Sequence, residues 1–171
     1  MPTKKGAGGR PQNYDPHTGR FAKQDPMKIL LAPISKEEKK RRAEKARRED
    51  LYNRARNSKD EYVFETYCAI EKALPGAVQS VNEYKYDPFI KNIREFDIIT
   101  KKCIIEVKGK QAKNCLTQGL EQKRYARRVG KQHILYAPHI VYNRFREYSE
   151  KGLLIARSEA ELIIKIKEYE K

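Results

Sequence analysis

The stretch EFDIITKKCIIEVK, from Glu95 to Lys108, constrains the fold more than any other part of the chain. Two runs rich in Ile, Val and Phe flank Lys101 and Lys102, the pattern of a β-hairpin. Closing it about the two lysines sets Thr100 opposite Cys103, Ile99 opposite Ile104, Ile98 opposite Ile105 and Asp97 opposite Glu106. Directly opposed residues carry Cβ atoms roughly 5 Å apart on one face, so two carboxylates meet there and repel. Strand alternation puts Lys108, two residues past Glu106, on that face as well. A divalent cation would complete the charge balance. Mg²⁺ (or Mn²⁺) takes oxygen ligands and keeps several waters, so the two carboxylates, the Val107 carbonyl and water make a shell.

The segments around the hairpin alternate between helix and strand. Val63, Tyr67, Ile70 and Leu74 recur at helical spacing after a capping box, Ser58 to Glu61, and Pro75-Gly76 ends that helix. A loop rich in Tyr, Asn and Asp is expected before Glu95. After the hairpin the pattern predicts a helix from about Leu116 to Val129, a strand over His133–Ala137 and a helix near Tyr142 to Lys151. A short LLIA strand and a last helix opened by the Ser158–Glu161 capping box follow. The order implies an α/β fold, a mixed sheet flanked by helices.

The D-x8-E-V-K arrangement of Asp97, Glu106, Val107 and Lys108 resembles the PD-(D/E)xK motif of restriction-endonuclease-like nucleases, over roughly Ser58 to Ala137. Phe96 stands where that motif often has Pro. The resemblance implies a metal-dependent nuclease, with Asp97 and Glu106 as metal ligands and Lys108 as a catalytic amine. It further implies an acidic residue from the preceding helix, Glu65, or Glu61 one turn earlier. Relatives carry a Gln and a Tyr on the helix after the ExK strand. Here Gln118, Gln122 and Tyr125 fall on one helical face, and Gln118 is assigned to the catalytic set. Lys123, Arg124, Arg127 and Arg128 on the same helix, with Lys110 and Lys113 leading into it, join Gln122 and Tyr125 as candidates for tracking a phosphate backbone.

Charge supports a polyanionic partner. Lys and Arg number 38 against 23 Asp and Glu, a formal +15. Up to Lys59 there are 17 basic and 7 acidic residues, and after it 21 and 16, so the front carries +10 and the remainder +5. Residues 1–34, rich in Gly and Pro, read as an extended or disordered basic arm. Residues 35–57 read as a charged helix or linker, opened by the capping box Ser35–Glu38, and residues 58–171 as the nuclease-like domain.

Within the arm, YDPHTGRFAKQDP (Tyr14 to Pro26) is similar to the YDPxTGRFxxxDP signature that closes the core of Rhs-type polymorphic toxins. That resemblance implies a toxin domain following it and a cognate inhibitor protein as partner. Taken by itself, the segment is a turn. Three functions result: a metal-dependent endonuclease acting on DNA, an RNA-cleaving toxin of the same fold directed at transfer RNA, and a noncatalytic basic phage protein gripping nucleic acid.

No apolar run reaches the ~20 residues of a membrane span. No hydrophobic block follows the basic start MPTKKGAGGR, so a cytoplasmic protein is expected. Cys68, Cys103 and Cys115 form no CxxC pair and read as reduced thiols. His17, His133 and His139 lack zinc spacing.

Overall fold

The computed structural model describes residues 14–15, 20–21, 34–110 and 114–171. The chain divides into two compact units, residues 1–42 and 43–171. In the first, strand β1 (Tyr14–Asp15) pairs antiparallel with β2 (Arg20–Phe21), Tyr14 opposite Phe21. The expected turn between these two strands, residues 16–19, lies outside the described residues. What was expected of the other residues up to 33 lies outside the described residues.

Helix α1 (Lys36–Arg56) starts where the first capping box predicts, with the Ser35 hydroxyl accepting from the Glu38 N–H at 3.0 Å. The boundary between the units falls inside this helix, after Arg42. Its second half is more than a linker, because Leu51 and Ala55 are buried in the core of the second unit. That unit therefore begins earlier than Ser58.

Helix α2 spans Glu61–Ala73. Its cap differs from the expected Ser58 box: Asp60 accepts from the Tyr62 N–H, so the carboxylate takes the N-cap and the helix starts two residues later.

The sheet of the second unit has, among the described residues, five strands in the order β3-β4-β5-β6-β7: β3 (Val78–Asp87), β4 (Asn92–Thr100), β5 (Cys103–Val107), β6 (Gln132–Tyr136) and β7 (Ile155–Ala156). The first three are antiparallel and the last two join in parallel, so the sheet is mixed. The expected loop before Glu95 is in fact β3 and the start of β4. Alternation was hidden there because the outer half of that hairpin exposes Tyr84, Tyr86 and Ile93.

Helices α3 (Leu116–Arg128), α4 (Tyr142–Glu150) and α5 (Glu159–Glu170) complete the domain. Val63, Tyr67 and Ile70 of α2, with Leu162 and Ile166 of α5, pack on Ile98, Ile105, Val107 and Ile134. Tyr125 and Ala126 of α3 pack on Phe96, Ile99 and Ile104. The result is an α/β fold, a mixed sheet with helices on both faces.

Candidate active site

The hairpin register is the one the sequence implies: Ile98 faces Ile105 and Ile99 faces Ile104, with Lys101 and Lys102 at the turn. Pairing stops there. One residue further, the Val107 N–H donates to Asp97 Oδ2 at 2.7 Å, so a side chain takes the place of a backbone partner where the strands part.

Side-chain alternation breaks at the same position. Phe96 and Ile99, three residues apart, share one cluster, while Ile98 lies in the other. In the neighbouring strand, between Val81 opposite Ile98 and Glu83 opposite Phe96, Asn82 has φ of +48°. A left-handed residue there lets both strands change face together, and Asn is among the few non-glycine residues that adopt it readily.

Glu106 is 3% exposed and held by three donors. Lys108 Nζ lies 2.5 Å from its Oε1, Gln118 Nε2 2.7 Å from the same oxygen, and Gln122 Nε2 2.7 Å from Oε2. Both glutamines come from α3, one turn apart, so the i, i+4 spacing delivers both amides to one carboxylate. Gln122 also meets His133 Nε2 through its Oε1 at 3.0 Å. Since the Gln122 oxygen can only accept, His133 carries its proton on Nε2. The buried Nδ1 of His133 has no hydrogen-bond partner among the described residues. Burial, with Lys123 adding to it, holds His133 down at about 4, so it is neutral.

Asp97 is half-buried and pushed up to about 7, first by burial, then by the charge of Glu106. Burial pulls Lys108 down, but Glu106 outweighs it and the ammonium is held above its ordinary value. The charge of Glu106 therefore acts on Asp97 across the parting strands, and the Lys108 charge opposes it. Beside them opens a cleft of about 310 Å³, whose walls include Lys59, Asp60, Tyr84, Glu95, Asp97 and Lys108.

Of the expected site residues, Asp97, Glu106, Val107, Lys108 and Gln118 come together. Glu65 does not join them. It is exposed on α2 and outside the cleft lining, and its charge acts on the Tyr136 hydroxyl. The wall that α2 supplies comes from its first turn instead, with Asp60 and Val63.

Gln122 and Tyr125 face the core rather than a nucleic-acid backbone, one against Glu106 and the other 4.9 Å from the Phe96 ring. Arg128 pairs with Asp87, and Lys123 donates to the Gly152 carbonyl. Lys110, Arg124 and Arg127 are exposed, while Lys113 lies outside the described residues.

Sequence reading missed Glu95, Tyr84, His133 and Gly109. Gly109 is buried, and a Cβ there would come within 1.8 Å of the Tyr62 ring, so only glycine lets the chain leave Lys108 along this path. The "VKGK" run was its one signal.

Among the described residues, no group of three or more His, Cys, Asp or Glu is gathered as a metal cage. The donor set is a pair of carboxylates with hard oxygen atoms, whose mutual repulsion a hard divalent cation relieves, and in that respect it fits Mg²⁺ or Mn²⁺. No family model, curated protein or solved structure matches the chain. Among the described residues no helix is long and apolar enough to cross a membrane.

Proposed function

We propose that the chain is a metal-dependent nuclease of the PD-(D/E)xK class that hydrolyses phosphodiester bonds, with DNA as the favoured substrate. The observation that carries this reading is the convergence of Asp97, Glu106 and Lys108 at the point where β4 and β5 part, with Asp97 raised to about 7 by burial and by its neighbour's charge. A perturbed carboxyl at the wall of a cleft supports this reading, because working sites are where such groups cluster.

Asp97, Glu106 and the Val107 carbonyl would hold the ion. When bound, a divalent cation supplies positive charge to a phosphate and acidifies water. The chain's own groups do the rest. Lys108, kept cationic by Glu106, stabilises negative charge that grows on the phosphate as the bond breaks. Gln118 and Gln122 fix the Glu106 carboxylate in one orientation, and neutral His133 fixes Gln122. The net charge of +15 draws the polyanion to the protein. The same reading has the protein acting in the cytosol, with an inhibitor protein as partner where it serves as a toxin.

The test is cleavage of supercoiled plasmid and total transfer RNA by one preparation with Mg²⁺ or Mn²⁺. Plasmid nicking that EDTA stops and that Glu106→Gln lacks supports the reading. Preferential loss of transfer RNA would shift the substrate to RNA, and undiminished cleavage by Glu106→Gln would reject the site.

A further inference from the structure

The outer half of the β3–β4 hairpin has two unlike faces. On one, Glu83, Lys85 and Asp87 lie opposite Phe96, Arg94 and Asn92, and this face is braced by α3. Asp87 is fully buried. It accepts from Arg94 Nε at 3.0 Å, from Arg128 Nη2 at 2.7 Å and, through its other oxygen, from the Phe89 N–H at 3.0 Å. Arg94 continues to Glu121 at 3.1 Å, and the Arg128 guanidinium lies 4.2 Å over the Phe89 ring. Five side chains thus lock the far end of the hairpin from behind.

The other face carries Tyr84 opposite Glu95 and Tyr86 opposite Ile93. Tyr84, Tyr86 and Ile93 are 61%, 60% and 62% exposed, an apolar and aromatic surface held rigidly in solvent. This surface runs directly into the candidate active site. Tyr84 forms part of the cleft wall with Asp97, Lys59 and Lys108, and its hydroxyl donates to Glu95 Oε1 at 2.8 Å.

We infer that this face is a stacking platform for unpaired nucleobases, so that nucleic acid enters the cleft as a single strand. The inference rests on the nuclease reading for what lies at the end of the path. Aromatic rings beside cationic groups are the elements with which proteins hold single strands, because every base offers a π-face and the backbone offers charge. Access favours an unpaired strand over a duplex: inside a duplex each base face is covered by its neighbours, and only an unpaired base can lay a face on a tyrosine ring.

Fluorescence anisotropy in EDTA separates binding from cleavage. The probes are a labelled single-stranded oligonucleotide of roughly 20 residues, longer than the usual footprint of such platforms, and its blunt duplex. Wild type should prefer the single strand. The double variant Tyr86→Ala/Ile93→Ala should lose about tenfold in single-strand affinity, with the duplex affinity and the melting temperature unmoved, and Tyr86→Phe should keep wild-type binding. Equal loss on both probes would overturn the platform. So would unchanged single-strand binding by the double variant, which would assign the face to a protein partner. Because no metal is present, these outcomes do not depend on whether the chain cleaves, and a failure of cleavage would count against the nuclease reading alone.

Discussion

The Val107 amide points its hydrogen at Asp97 Oδ2 over 2.7 Å, joining two residues ten positions apart where the β4–β5 ladder has ended. The contact fixes the carboxylate where the strands part, at the wall of the cleft. Asp97→Asn can still accept this hydrogen bond through its amide oxygen, so the fold should survive. Its charge is gone, and cleavage should fall by about 10²–10³, the range seen when one preorganised electrostatic group is removed. Asp97→Leu should in addition lose about 1–3 kcal/mol, the cost of an unpaired buried N–H. Thermal melting beside plasmid nicking checks both.

Glu106 requires a different substitution. Alanine there would strand the Lys108 ammonium and leave two glutamine amides without their acceptor, so Glu106→Ala should be destabilised by about 3–5 kcal/mol in urea denaturation. Glu106→Gln keeps the volume and one acceptor oxygen. It should fold, lose activity to the extent of Asp97→Asn, and give the cleaner comparison.

The metal-free protein should show two opposing pH effects. Asp97 sits at about 7 against an ordinary 3.8, so the folded state holds its proton longer than the unfolded chain, and this group lowers stability as pH rises from about 4 to 7. His133 sits at about 4 against an ordinary 6.5, so the unfolded chain takes a proton first, and this group lowers stability as pH falls from 6.5 to 4. The two slopes oppose each other between pH 4 and 6.5. Compared with wild type, denaturation midpoints of Asp97→Asn should climb more steeply with pH across that window. Those of His133→Gln should climb less or fall.

Gly109 separates packing from chemistry. Alanine at this position meets the Tyr62 ring, so the chain after Lys108 or the first turn of α2 must shift. Gly109→Ala should cost about 1–3 kcal/mol, the usual penalty of overpacking. It should also reduce cleavage, because the shifted backbone carries Lys108. Gly109→Ala combined with Tyr62→Ala should recover part of the lost stability in a denaturation series.

Much of this site could be read from residue order. The two-lysine turn and its flanking apolar runs gave the β4–β5 register, and Gln118 and Gln122 at helical spacing gave a face that does reach Glu106. Ser35 and Ser158 cap their helices as their spacing predicts, by accepting from the N–H groups of Glu38 and Glu161.

What escaped depended on long-range context. β3 escaped because its outer half faces water with tyrosines, and because Asn82 in a left-handed conformation resets the alternation a strand is recognised by. Glu65 came from the family resemblance, which implies an acid on the preceding helix but does not locate that helix over the sheet. Tyr125 looked like a substrate contact and is a core residue, since nothing local distinguishes an aromatic that meets Phe96 from one that meets a base.

The central claim is that Asp97 and Glu106 bind one divalent cation together. Titration with Mn²⁺ at pH 7.5, a pH chosen to lie above the raised Asp97 value of about 7, followed by electron paramagnetic resonance of the free ion, measures this without any nucleic acid. The account predicts one site in the wild type, weakened at least about tenfold in both Asp97→Asn and Glu106→Gln, as expected when a charged ligand of a hard cation is lost. Equal Mn²⁺ uptake by the wild type and both folded variants would contradict it.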